Sequence, residues 1–324
     1  MPLQYLRKVR LTCSGSGGTV LINHHGPEEP HDLKIEFDVS KSISSTQNDA
    51  EIKIFNLSES SRNAMGKELD EITLEAGYWP PLGSDNTGVI FKGNIRDVQH
   101  TRDGPTIVTT VTCGDGDKGV RNATINKSYK KGTKVETVMN DVQSELEKQG
   151  VGKGEWKLPD DLPTMKRPYA AVGSAKREMD ILSRGFGFYW SIQNGNTEVM
   201  PGDDSIGGII NITPESGMIN VPTITDNGIK VAVLLNPEIK PGIKVKIESQ
   251  VLEMNSEGGE YRVGDCRYAG DNREGSMVVF IVAESMKGGK VDEGEKNETV
   301  ENTQSPEVKV GQEEAGKNKD DLVS

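Results

Sequence analysis

Apolar and polar side chains alternate in the first third of the chain. Leu33, Ile35, Phe37 and Val39 are separated by Lys34, Glu36 and Asp38, which predicts a strand with one wet face. Ile72, Leu74, Ala76 and Tyr78 repeat that period. Asn94–Arg102 and Thr106–Cys113 flank Asp103-Gly104-Pro105, a turn sequence, and predict a hairpin. Asn56-Leu57-Ser58 predicts one short helix capped by Ser58 and running through Arg62 and Met65. The period changes after residue 116. Val135, Val138, Met139, Val142 and Leu146 form one helical stripe, with Thr133 as the expected cap and Gly150 as the stop. A second helix is expected from Ser174, carrying Met179 and Leu182 inward and ending at Gly185. Asn194-Gly195 between Phe188–Gln193 and Asn196–Met200 predicts a tight hairpin, because both turn residues must take positive φ. Phe186, Phe188, Tyr189 and Trp190 then read as the core of this middle region.

From residue 205 the strand period returns. Ile209–Thr213, Ile219–Thr225, Ile229–Leu235, Ile243–Ser249, Tyr261–Tyr268 and Met277–Ala283 are six short candidates divided by Pro, Gly and Asn clusters. The two β stretches share an echo. Gly93-Asn94-Ile95-Arg96 and Gly259-Glu260-Tyr261-Arg262 each lead into a strand, a charged turn and a second strand, the mark of an internal duplication. The expected fold class is therefore mainly β with an α+β middle domain: a β-barrel or sandwich and a second, small β-barrel flank a small helix-and-hairpin domain. The divisions are 1–116, 117–203 and 204–286, followed by an acidic tail over 287–324. That tail has no aromatic residue and only seven apolar positions, too few to offset chain entropy.

Composition narrows the function. The chain has 324 residues, with 38 Lys and Arg against 50 Asp and Glu, a net charge of −12. Such a balance disfavours a general nucleic-acid-binding surface. No stretch approaches the ~18 apolar residues of a membrane helix, and Met1–Arg10 lacks a signal-peptide core, so synthesis and assembly in a cytosol are expected. Cys13, Cys113 and Cys266 are far apart and lie in apolar-alternating runs, which predicts buried thiols rather than a disulfide framework or a zinc site.

Candidate chemistry is sparse. His24, His25 and His31, with Glu28, Glu29 and Asp32, are the densest group of possible metal ligands, but they lie irregularly on a Pro-rich loop. Gly15, Gly17 and Gly18 lack a phosphate-binding lysine and read as a hairpin turn. Asp115 and Asp117 resemble half a calcium loop without its closing glutamate, and read as a linking turn. His100 has no nucleophile beside it in sequence. No catalytic, cofactor-binding or metal residue is assigned, and no enzyme activity is expected.

Four strings in order carry a family resemblance. Leu234-Leu235-Asn236-Pro237-Glu238-Ile239-Lys240-Pro241-Gly242, followed by Val245-Lys246-Ile247, Tyr261-Arg262-Val263 and Gly270-Asp271, resembles the last barrel of phage baseplate hub proteins. Asp49-Ala50-Glu51-Ile52-Lys53-Ile54-Phe55-Asn56-Leu57-Ser58 with Arg62 is similar to their first barrel. Tyr129-Lys130-Lys131-Gly132-Thr133, and Gly185-Phe186-Gly187-Phe188-Tyr189-Trp190 before the Asn-Gly turn, resemble their middle domain. The resemblance covers roughly residues 1–286.

It implies a structural virion protein in the tail baseplate, a homotrimer whose two tube-like barrels per chain make a six-membered ring. That ring would join the hexameric tail tube to the trimeric central spike and nucleate tube assembly. Implied partners are the tube or tube-initiator protein, the spike, the tape-measure protein and, in a contractile tail, baseplate wedge proteins. DNA would pass through the lumen without specific binding during ejection into the host. The two long hairpins, at Ile95, Val98, Val108, Val111, Tyr261, Val263, Val279 and Ile281, are the expected tube-docking surfaces. The rival readings are a tail-associated cell-wall hydrolase or peptidase, for which three small domains leave no room, and a hub-like part of a contractile injection or type VI machine.

Overall fold

A computed structural model describes residues 6–24, 32–78, 86–159, 162–226, 228–253 and 259–286. The tail over 287–324 and residues His25, Glu28, Glu29 and His31 of the histidine-rich loop lie outside the described residues. The fold is mainly β with an α+β middle, as the alternation predicts.

The first β module contains β1 (Arg7–Gly15), β2 (Gly18–Ile22), β3 (Ile35–Ser42), β4 (Asp49–Phe55), α1 (Glu59–Ala64), β5 (Glu71–Tyr78), β6 (Gly88–Asp103) and β7 (Thr106–Gly114). Its expected core positions are inside: Ile35, Val39, Ile72, Leu74 and Ala76 are fully buried. The Ser58 side chain accepts the Ser61 amide at the start of α1, as predicted. β6 runs longer than expected and turns through Gly104 at φ 57 into β7, with Asp103 opposite Thr106.

The middle region contains α2 (Asp117–Asn122), β8 (Thr124–Tyr129), α3 (Val135–Glu147), β9 (Gly152–Trp156), β10 (Tyr169–Ser174), α4 (Ala175–Phe186), β11 (Phe188–Gln193) and β12 (Asn196–Pro201). The α3 stripe Val135, Val138, Met139, Val142 and Leu146 is wholly buried. At ~1.5–3 kcal/mol for each large apolar side chain buried, that stripe outweighs the helix's intrinsic propensity. Two details differ from the sequence reading. Thr133 does not cap α3: its hydroxyl donates to the Lys130 carbonyl in the preceding turn, and Lys134 takes the cap position. α4 stops at Gly187, in the left-handed region at φ 71, instead of Gly185. Asn194 and Gly195, at φ 53 and 81, make the expected tight hairpin. Phe188 and Trp190 join the core of this region, with Phe186 packed beside them.

The second β module contains β13 (Ile209–Ile212), β14 (Met218–Thr225), β15 (Gly228–Leu234), β16 (Lys244–Ile247), β17 (Glu260–Asp271) and β18 (Val278–Glu284). All six are the strands predicted, each within a few residues of its expected ends.

The modules are one sheet, which local periodicity did not foretell. Its order is β14-β15-β18-β17-β3-β4-β7-β6-β5-β1-β2, with β16 and β13 branching from β17, and β17–β3 is the seam. Within it one pattern occurs twice: β3-β4-β7-β6-β5 and β14-β15-β18-β17-β16 follow the same path, every pair antiparallel. The registers agree as well. β4 against β7 pairs Asp49 with Gly114 through Phe55 with Val108, and β15 against β18 pairs Gly228 with Glu284 through Leu234 with Val278. β6 slips against β7 between Ile95 and Asp97, and β17 slips against β18 between Val263 and Asp265, at the matching rung. A bulge conserved between two halves in place as well as in kind is the signature of one module built twice. The match makes Asn94 the equivalent of Arg262 and Ile95 that of Val263, so the four-residue echo in the sequence is out of step with the structural repeat.

Candidate assembly surfaces

The middle region is gripped at both ends by these twin strands. At its entry, the Asn94 side chain accepts the Lys118 amide at 3.2 Å, and Arg96 pairs with Asp117 at 2.8 Å. At its exit, buried Arg262 donates to the carbonyls of Gly202 and Asp204, both at 2.8 Å, and lies over the Tyr189 ring at 4.9 Å. A guanidinium is the side chain suited to this position, because its planar fork satisfies several carbonyls at once. Asp115 fixes the hairpin from below. Its carboxylate accepts the amides of Asn194 and Gly195 at 2.7 Å each, with Asn48 nearby at 3.4 Å. Burial pushes the Asp115 carboxyl up to about 6, against the pull of Lys41 and these donors. Lys41 is buried too, donates to the Asn194 side chain at 2.6 Å, and is held below the ordinary lysine range by desolvation. Asp115 was legible only as a turn residue, since nothing local signals a partner 80 positions away.

The sequence-predicted docking residues divide into two groups. Val111, Tyr261, Val263, Val279 and Ile281 are buried in the core of the sheet. Ile95 and Val98 are half-buried and pack against that core, and Val108 is half-buried. Alternation explains the division, since successive side chains of a strand point to opposite faces of the sheet. What the hairpins leave accessible is their other face and their ends, Asp103–Thr106 and Asn272–Ser276.

That other face is acidic. Registers across the seam place Glu36, Asp38, Asp49 and Glu51 of β3 and β4 on the same side as Asp97 and Asp103 of β6 and Asp265 and Asp271 of β17. The cations among them are fewer and locally spent: Arg267 pairs with Asp38, Lys53 with Glu51, and Lys34 with Glu36. Burial, with Asp38 adding to it against Arg96, raises the Asp49 carboxyl above its ordinary value.

All three cysteines are buried, and burial pushes the thiols of Cys13 and Cys266 up to about 12. His24 sits within 3.2 Å of the Thr12 hydroxyl and the Leu11 carbonyl, and His100 within 3.1 Å of the Thr109 hydroxyl. Among the described residues no three His, Cys, Asp or Glu side chains converge as metal ligands, and no helix is long and apolar enough to cross a membrane.

A family model described as baseplate hub gp41 matches residues 19–281. No curated protein matches the chain in sequence. Solved structures share the fold. The tail protein of Neisseria meningitidis MC58 aligns with a TM-score of 0.59 at 9% identity, over 88% of this chain and 98% of its own. The 43 kDa tail protein of prophage MuSo2 from Shewanella oneidensis aligns at 0.57 and 8% identity, over 86% and 97%. The Escherichia coli c3393 protein, a type VI secretion component, aligns at 0.54 and 12% identity, over 81% and 75%. A twice-built β module clasping a helix-and-hairpin middle, matched by that model across most of its length, identifies this chain as a member of the baseplate hub gp41 family, structural proteins of the phage tail baseplate.

Proposed function

We propose that the chain is a trimeric hub, assembled in the host cytoplasm, which joins the sixfold tail tube to a threefold central spike and nucleates the tube. The observation that carries this reading is the repeated ladder. A heterologous contact must be repeated until it closes, and a chain with two like modules lets three copies offer six near-equivalent positions. The domains in this reading are 1–116, 117–203 and 204–286, with 287–324 as an acidic tail. The tube docks on the hairpin ends, Asp103–Thr106 and Asn272–Ser276, which occupy matching places in the two modules. The acidic face lines the channel, where carboxylates repel DNA phosphates and let the duplex slide through without binding. The tape-measure protein occupies that channel before ejection, and wedge proteins attach outside in a contractile tail. The mechanism is binding and symmetry matching, with no turnover.

Light scattering on the full chain, alone and co-expressed with the spike protein of the same tail, tests this. The expected mass is three copies, at least in the co-expressed complex. One or two copies in both preparations would overturn the reading. A hub of a type VI or related injection machine is the second reading, supported by the fold shared with the E. coli type VI component. Capsid and terminase genes beside this one would refute it.

A further inference from the structure

One amine and one amide are brought together where the first β module meets the middle region. Lys41 stands on β3 and Asn194 at the tip of the β11–β12 hairpin, 153 residues apart in sequence. Lys41 is only 4% exposed. Its amine donates to the Asn194 side-chain oxygen at 2.6 Å. A carbonyl bond of ~1.23 Å then keeps the amine nitrogen within ~3.8 Å of the amide carbon, near the ~3–3.5 Å of a pair poised to react. Burial takes this amine out of water and holds it below the ordinary lysine range, which makes it a better nucleophile. Asp115, Cys266 and Glu198 pull the other way, and Lys240 adds to the effect of burial. In a free Asn-Gly pair the glycine nitrogen is the group that attacks the asparagine side chain. Here that nitrogen is occupied: Asp115 accepts the amides of Gly195 and Asn194 at 2.7 Å each, which fixes the backbone on both sides of the turn. The Asn194 side-chain carbon is left to the lysine.

We propose that Lys41 and Asn194 join spontaneously in an isopeptide bond, a covalent staple between the first β module and the middle region. The lone pair of the Lys41 Nζ attacks the Asn194 side-chain carbon, and the bond from that carbon to the side-chain nitrogen breaks. The amine gives up one proton, the departing nitrogen takes it, and ammonia leaves. One amide replaces another, so no oxidant, cofactor or second enzyme is needed. The product is uncharged where a buried lysine stood, which removes the cost of keeping that amine out of water, while Asp115 retains its two backbone donors. The staple closes a loop of 153 residues, and a cross-link over so long a stretch stabilises a fold by restricting the unfolded chain. It forms within one chain, whatever that chain assembles with.

Mass spectrometry of the full chain, freshly purified and again after prolonged storage, tests the bond. The expected mass is lower than that of the sequence by one ammonia. Trypsin is expected to release a branched peptide that joins Ile35–Lys53 to Gly185–Lys230, with Lys41 left uncut. Lys41→Arg keeps the charge and Asn194→Gly keeps the positive φ, and each is expected to lower the yield of branched peptide at least a hundredfold. Branched peptide at the full yield from either variant would overturn the assignment of the two reacting groups. An unaltered mass after storage, with both peptides free, would overturn the bond itself. Loss of ammonia confined to the linear Asn194 peptide would mark ring closure by the Gly195 nitrogen and would also overturn it, as would simple hydrolysis of the Asn194 amide. Branched peptide found only in chains joined pairwise on a denaturing gel would overturn the placement of the staple within one chain.

Discussion

β6 and β17 are the same strand built twice, and they part company after the bulge. Up to that point each is clamped between two neighbours and its inward side chains are buried. Beyond it, β17 is covered by β3, and Tyr268 is 1% exposed, with its hydroxyl donating to the Ile239 carbonyl. At the twin position in β6, His100 is exposed. Strand path, bulge and register are shared although the β17–β18 turn is the longer one, and the neighbouring edge of β3 is what covers Tyr268. A repeated module thus carries its partner's imprint in whichever copy happens to be satisfied inside the chain.

The largest expected effect lies at that pair of twins. Tyr268→Ala empties a fully buried site at the seam and is expected to cost about 3–5 kcal/mol. His100→Ala in the single chain should stay within about 0.5 kcal/mol, as an exposed position does. Urea denaturation of both variants measures the gap, and equal losses would break the comparison. Next come the clamps on the middle region. Arg262→Ala strands buried carbonyls at its exit and is expected to cost about 3 kcal/mol, against about 1 kcal/mol for Asn94→Ala at the twin position. Thermal melts rank the two, and the reverse order would show that entry, not exit, holds the middle region.

Asp115 gives a smaller effect with a definite pH signature. Its carboxyl rises from an ordinary 3.8 to about 6 in the folded chain, so between those values the folded state keeps a proton that the unfolded state has released. Stability contributed by this group therefore falls as pH rises from 3.8 towards 6. Asp115→Asn keeps one acceptor oxygen but turns an amide NH2 towards the other of the two backbone donors, and is expected to cost about 1–3 kcal/mol while flattening that slope. Melts at pH 4, 5, 6 and 7 read both changes, and an unaltered slope would remove Asp115 from the account. Arg96→Ala should be mildest, about 0.5–1 kcal/mol, because its ion pair with Asp117 is partly exposed.

Much of this was legible in the sequence, for a physical reason. The Val135–Leu146 stripe, the Ile72–Tyr78 alternation and the Asn194-Gly195 turn are decided by contacts a few residues away, and each formed where expected. The misplaced ends show local competition: Thr133 bonds its own turn instead of capping α3, and α4 passes Gly185 to stop at Gly187. The seam between β17 and β3, over 200 residues apart in sequence, leaves no periodic trace. The echo pointed to a duplication but misaligned it, because identity at a glycine and an arginine outweighed register. Within the two hairpins expected to dock the tube, the apolar side chains of Val111, Tyr261 and Ile281 lie in the core.

Electron microscopy of the full chain bound to the spike, viewed down the spike axis, tests the central claim most directly. Six similar β modules at one radius, arranged with threefold symmetry, are the expected image. Modules at two different radii, or an assembly without a threefold axis, would contradict it.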